Sequence, residues 1–234
     1  PIGQFRQNVH PSWINKLPTA PVGFGHGGAA PLSDLGVQLR GGIPLSGSMR
    51  ANYALFTSNG PTLLVDGHGD EVELEMETEA AASNADGNFV YGGRVGFLPM
   101  PALELGLSGA LGKVGVAEGH EVSELAAGEP DRDYTVLGAD AIYNIATLQL
   151  RGEFIQQTVG SEANSTVADG AAAEEIDFRA WYAQAAYRVP DTKWEGVVRI
   201  GDLDTPNADA NRSQWSAGVN YLFANHVIIK AAYT

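Results

Sequence analysis

Ten two-faced segments, connections that alternate strictly between short and long, and aromatic residues six apart on one face together predict an all-β fold. The architecture they describe is an antiparallel up-and-down transmembrane β-barrel. The expected strand cores are 35–42, 49–58, 89–98, 103–112, 133–143, 147–157, 177–188, 194–202, 214–222 and 227–234. Connections at 43–48, 99–102, 144–146, 189–193 and 223–226 are tight, whereas those at 59–88, 113–132, 158–176 and 203–213 are long and polar. A soluble sandwich has no reason to gather every long connection at one end. A barrel in a bacterial outer membrane does, with short periplasmic turns and long external loops.

Taken strand by strand, alternate positions separate an apolar face from a polar one. The apolar face runs Leu35, Val37, Leu39; Met49, Ala51, Tyr53, Leu55; Tyr91, Val95, Phe97; Leu103, Leu105, Leu107, Leu111. It continues Leu137, Ala139, Ala141, Tyr143; Leu148, Leu150, Phe154; Trp181, Ala183, Ala185, Tyr187; Trp194, Val198, Ile200; Trp215, Ala217, Val219, Tyr221; Val227, Ile229, Ala231, Tyr233. The opposite face carries Arg40, Arg50, Asn52, Arg94, Glu104, Asp140, Arg151, Glu153, Arg188, Glu195, Arg199, Asn220 and Lys230, the expected pore lining, with Gln38, Ser108, Gln149, Gln184 and Ser216 among them. Period-2 alternation is the strand signature, and one-sided burial would also suit a soluble antiparallel sheet. The content of the faces favours a membrane, with charged and amide side chains inside and aliphatic and aromatic ones outside.

Tyr91/Phe97, Trp181/Tyr187 and Trp215/Tyr221 each share the apolar face six residues apart. At about 3.3 Å per residue that spacing spans roughly 20 Å along a strand, the scale of an apolar band between interfacial aromatic girdles. Coincidence among aromatic residues is the competing explanation, and the regular placement near opposite strand ends argues against it.

Composition bounds the remaining options. The 234 residues suit one all-β domain, 1–234, and no apolar run approaches the length of a helical span. With no cysteine, neither a thiolate cluster nor a disulfide framework can form. The chain opens on Pro1 without a signal peptide and closes on a strand in progress at 227–234, so a stretch from within a longer barrel is expected. The net charge of −14 is unevenly placed. The four long connections, with Asp202 and Arg212 counted in the last, hold twenty of the twenty-eight acidic residues and three basic ones. The remainder has eleven basic against eight acidic residues, a balance of +3. The densest acidic run, Asp70, Glu71, Glu73, Glu75, Glu77 and Glu79, alternates too strictly for a helix and reads as a hairpin arm within the acidic external loop 59–88. A solvated charged loop and divalent-cation bridging to lipopolysaccharide are its two readings.

The segment 8–33 is dense in proline and glycine and reads as a compact irregular loop, external or folded into the lumen to constrict it. Pro1–Phe5 could end an upward strand. Gly23–Gly28 satisfies GxGxxG without a surrounding βαβ unit, which the phosphate-binding reading needs. His10, His26, His68, His120 and His226 lie scattered in connections, so neither a metal site nor a cofactor is expected. Ser108 stands outside a GxSxG elbow, and Glu104, Asp140, Glu153 and Glu195 suit pairing with wall arginines better than acid–base work. An enzyme is not expected.

Pro1–Phe5, His10–Pro18, Gly36–Gly42 and Val219–Phe223 resemble the phosphate-selective porin O and P family, and the likeness extends over most of the chain outside the acidic loops. The resemblance implies a sixteen-stranded outer-membrane porin, commonly trimeric, whose best-known members use arginines to conduct anions. About ten or eleven strands are present here, so several would be absent. The expected partners are outer-membrane lipid and lipopolysaccharide, small hydrophilic solutes or anions, and further copies of the chain, with no nucleic acid. The expected activity is passive diffusion with weak anion preference, reversed if the acidic arm folds inward. The alternative is a barrel scaffold whose lumen or loops dock a lipoprotein, cytochrome or secretion component.

Overall fold

The structure is a computed structural model that describes residues 2, 15–25, 28–29, 35–68, 71–77, 84–119, 124–167, 173–224 and 227–234. Ten strands build one antiparallel sheet: β1 (Gly36–Pro44), β2 (Arg50–Ser58), β5 (Val90–Met100), β6 (Leu103–Val114), β8 (Arg132–Ile145), β9 (Leu148–Val159), β10 (Ile176–Arg188), β11 (Trp194–Asp204), β12 (Arg212–Ala224) and β13 (Val227–Tyr233). They are the ten expected strands, most of them running one or two residues further at their ends. Each pairs with the next in this order, so the tight turns fall at one end and the long connections at the other. Left-handed backbone at Gly47, Ala146 and Asp191 (φ 61°, 49° and 56°) closes three of the tight turns. The sheet is not closed: among the described residues β1 and β13 each have one neighbour.

Burial along these strands is inverted relative to a soluble protein. Leu39, Leu55, Val95, Leu107, Leu137, Val198, Ile200 and Trp215 are exposed, and so are five of the six paired aromatics. Arg94, Asp140, Arg151, Glu153, Gln184, Glu195, Arg199 and Asn220 are buried. Register keeps the outer face continuous: Val95 lies opposite Leu107, Leu107 opposite Ala139, Ala139 opposite Phe154, and Phe154 opposite Trp181. An apolar surface of this extent on one face of an antiparallel sheet is what the lipid side of a membrane barrel presents. No helix among the described residues is long and apolar enough to cross a membrane.

The inner face is not polar throughout, which corrects the sequence reading. Towards the long-connection end it becomes Val90, Ala110, Val114, Tyr134, Val136, Ile155, Val159, Ile176, Phe178 and Leu203, all buried in one cluster. Two connections expected as polar loops supply what covers it. Within 59–88, β3 (Thr62–His68) and β4 (Glu71–Glu77) form an antiparallel hairpin, and within 113–132, β7 (Val116–Glu118) pairs with β3 in parallel. Leu63, Val65, Met76 and Val116 from this small sheet join the cluster, with Val72 and Leu74 packed against it. Each such side chain contributes about 1.5–3 kcal/mol when fully buried. Alternation in β4 therefore serves two masters: Val72, Leu74 and Met76 face the barrel wall, and the glutamates between them face away.

Several expectations fall outside the described residues: the Pro1–Phe5 strand apart from Ile2, 8–14 and 30–33 of the proposed constriction, His10, His26, His120 and His226, and Asp70 and Glu79 of the acidic run. Glu71 and His68 are placed as strand backbone only.

Candidate functional site: a polar belt and the strap across it

Halfway along the inner face, cross-strand register brings the predicted polar residues into a belt. Arg94 faces Ser108, Asp140 faces Glu153, Arg151 faces Gln184, Gln184 faces Arg199, and Glu195 faces Asn220, which in turn faces Lys230.

At one side of the belt lies a closed network. Arg94 donates from Nε to Asp140 Oδ2 at 2.8 Å and from Nη2 to Asp140 Oδ1 at 2.6 Å, a two-point grip. Its Nη2 also reaches Glu104 Oε1 at 2.9 Å, and its Nη1 reaches Asn52 Oδ1 at 3.1 Å. Asn52 closes the ring by donating Nδ2 to Glu104 Oε1 at 3.1 Å. The network needs the neighbouring glycines, because a Cβ on Gly96 would run into Asn52 and one on Gly106 into the Arg94–Asp140 pair. Arg94 therefore meets two carboxylates instead of standing as a lone wall cation.

The other side of the belt is crossed by residues 15–25, here called the strap. Lys16 Nζ pairs with Glu195 Oε2 at 2.7 Å. Asn220 Nδ2 donates to Glu195 Oε1 at 2.9 Å and to the Lys16 carbonyl at 2.8 Å. Arg199 donates to the Thr19 carbonyl and hydroxyl, each at 3.0 Å, and to the Ala20 carbonyl at 2.9 Å. Lys230 donates to the Asn15 carbonyl. Leu17 is fully buried in a socket of Ala186 and Val197, over Gly218, where any side chain would collide with it. Phe24 stands edge-on to Tyr182 at 5.1 Å between ring centroids. Gly23 has left-handed backbone (φ 75°), and a Cβ there would overlap that of Ala180.

Of the thirteen expected lining residues, Asn52, Arg94, Glu104 and Asp140 come together in the network, and Glu195, Arg199, Asn220 and Lys230 come together under the strap. Arg151 and Glu153 are buried between the two groups; Arg151 donates to Gln149 at 3.1 Å and Tyr182 reaches Glu153 at 3.5 Å. Arg40, Arg50 and Arg188 share the face but are exposed, nearer the tight turns. Sequence reasoning missed the socket of Ala186, Val197 and Gly218 and the strap residues that fill it. Three small or aliphatic positions interrupting a polar face were the available signal.

Outside the membrane-crossing part, Glu129 grips the buried Arg132 and accepts the Thr166 amide at 3.1 Å, tying two long connections together. Burial disfavours the charge of Glu129, but hydrogen bonds from Ser165 and Thr166 and the Arg132 guanidinium outweigh it and hold the carboxyl below its usual range. Among the described residues no three His, Asp or Glu side chains are grouped as metal ligands would be.

An antiparallel meander with an apolar face outside and a polar belt inside has the architecture of a transmembrane β-barrel wall. The family model for phosphate-selective porin O and P matches residues 122–234, which carry β8 to β13, so the family likeness is shown over that stretch. No curated protein matches the chain.

Proposed function

We infer that the protein is an outer-membrane porin through which small hydrophilic solutes diffuse passively along the polar belt. The observation that carries this is the inverted burial: charged and amide side chains inside, aliphatic and aromatic side chains outside. Such a barrel satisfies its backbone by strand pairing and keeps water against its inner wall. The thirteen belt and turn-end residues line the passage, and the strap narrows it on the β11–β13 side. Wall selectivity is weak and favours anions: seven cations face four carboxylates, and Arg94 is largely neutralised by Asp140 and Glu104. The apolar face meets lipid, the acidic loops face the lipopolysaccharide side, and a homo-oligomer, a trimer by the family resemblance, would bury part of the apolar face between copies.

The second reading, a scaffold whose lumen holds a partner protein, draws on the apolar half of the inner face. That half is already covered by the chain's own β3–β4–β7 sheet, so the channel is favoured. Conductance of the full chain in planar bilayers separates them: discrete ion-conducting steps support the channel, and a protein that inserts but does not conduct supports the scaffold.

A further inference from the structure

The polar grip of the wall on the strap falls largely on main-chain oxygens. Lys230, Asn220 and Arg199 donate to the carbonyls of Asn15, Lys16, Thr19 and Ala20, while Pro18 and Thr19 themselves are exposed. The wall reads two side chains closely: Lys16 through Glu195, and Leu17 through the socket of Ala186, Val197 and Gly218. Glu195, Arg199 and Asn220 are each more than nine-tenths buried, so these groups are built into the wall. The segment they hold is local. The strap bends through residues 15–19, and Asn15 Nδ2 donates to the Thr19 carbonyl at 2.9 Å to close the bend. A free peptide of these five residues can make the same bend, with Pro18 limiting the freedom it loses on binding.

Arg199 brings a full charge, and the strap answers it with neutral oxygens: the carbonyl and hydroxyl of Thr19 and the carbonyl of Ala20. In a free peptide that ends at the position of Thr19, a carboxylate takes the place of that carbonyl. A carboxylate is the stronger, two-point partner of a guanidinium. We propose that this stretch of wall is a binding site for a short peptide with a free C-terminal carboxylate, carrying lysine and leucine three and two residues before its end, and that the strap fills it in cis. As a class of solute this peptide rests on the channel reading, whereas its binding does not. A tethered strap competes at an effective concentration of roughly millimolar order, so a free peptide gains access when docking is weakened.

The probe is the peptide Asn-Lys-Leu-Pro-Thr, labelled with a fluorophore at its N-terminus, and the protein is the full chain folded in lipid bilayers. Fluorescence anisotropy should show it binding the Leu17→Ala variant at least roughly tenfold tighter than the parent. Its C-terminal amide should bind roughly fivefold more weakly than the acid, and Arg199→Gln added to Leu17→Ala should remove that difference. A peptide with alanine in place of its leucine should also bind more weakly than the acid. Lys16→Ala, outside the socket, supplies the weakened strap should Leu17→Ala fail to fold. Equal binding of acid and amide, equal binding of the leucine and alanine peptides, or no gain over the parent overturns the site. In planar bilayers the peptide should reversibly lower the conductance of the Leu17→Ala variant. Binding without that effect on an open channel overturns the peptide as a solute. Binding without any conductance overturns the channel reading and leaves the site standing.

Discussion

Leu17 is the side chain that should decide whether the strap stays on the wall. It is fully buried, and its socket is made by Ala186, Val197 and the missing side chain of Gly218. Truncating a buried leucine to alanine costs about 2–5 kcal/mol. The other strap contacts are the buried Phe24 ring against Tyr182, one ion pair and a handful of hydrogen bonds to neutral oxygens, the bonds each net worth about 0.5–3 kcal/mol. If Leu17→Ala removes about 3 kcal/mol from docking alone, the ratio of docked to undocked strap falls roughly a hundredfold. The barrel itself should survive, because its strand pairing does not involve the strap. Two assays read the outcome: single-channel conductance should rise or become noisier, and trypsin should cut the bond after Lys16 faster in folded, membrane-inserted protein. A variant that folds with the conductance and cleavage rate of the parent would refute the claim that this socket holds the strap.

The remaining predictions address the faces, the network and the loops. Leu105, Leu150, Ala183, Val198 and Val219 should contact lipid or a neighbouring copy, and Leu150→Arg should destabilise the barrel by about 2–4 kcal/mol if it lies near the membrane midplane; a neutral effect on folding into bilayers would reverse the face assignment. Asp140→Asn should cost about 3–5 kcal/mol by leaving Arg94 short of a buried partner, whereas replacing both residues with apolar ones should cost less; equal costs in equilibrium unfolding would mean that the pair is not coupled. Because the folded-state pKa of Glu129 is depressed, the docking it supports is fully present above the ordinary carboxyl value of 4.5 and is lost as pH falls below it. Hydrogen exchange at the Thr166 amide should accelerate over that acid range, and Glu129→Gln should abolish the dependence. A single cysteine at Ser46 should be reached by impermeant reagents from the side opposite to one at Asp209; labelling from the same side would break the up-and-down parity.

Strand number, register parity and the sense of the two faces were legible in the chain because they are local. A strand repeats every two residues, so Leu105 and Leu107 announce one side and Glu104 and Ser108 the other without reference to any neighbour. The hairpin in the acidic run was legible for the same reason, since Val72, Leu74 and Met76 alternate with glutamates. What the pattern could not tell is which partner each face meets. Tyr134, Val136, Ile155 and Phe178 continue the inner face, and only packing shows that β3, β4 and β7 turn back to cover them. Likewise Arg94 is a lone cation in the sequence and the centre of a network of formal charge −1 in the fold, because Asp140 and Glu104 approach it from two other strands across the gaps left by Gly96 and Gly106. Leu17 lies 169 residues from Ala186, and no periodicity links them. Alternation is set by backbone geometry and is written in each strand; charge pairing, the strap and the capped end depend on long-range contacts, whose closure the tertiary structure alone decides.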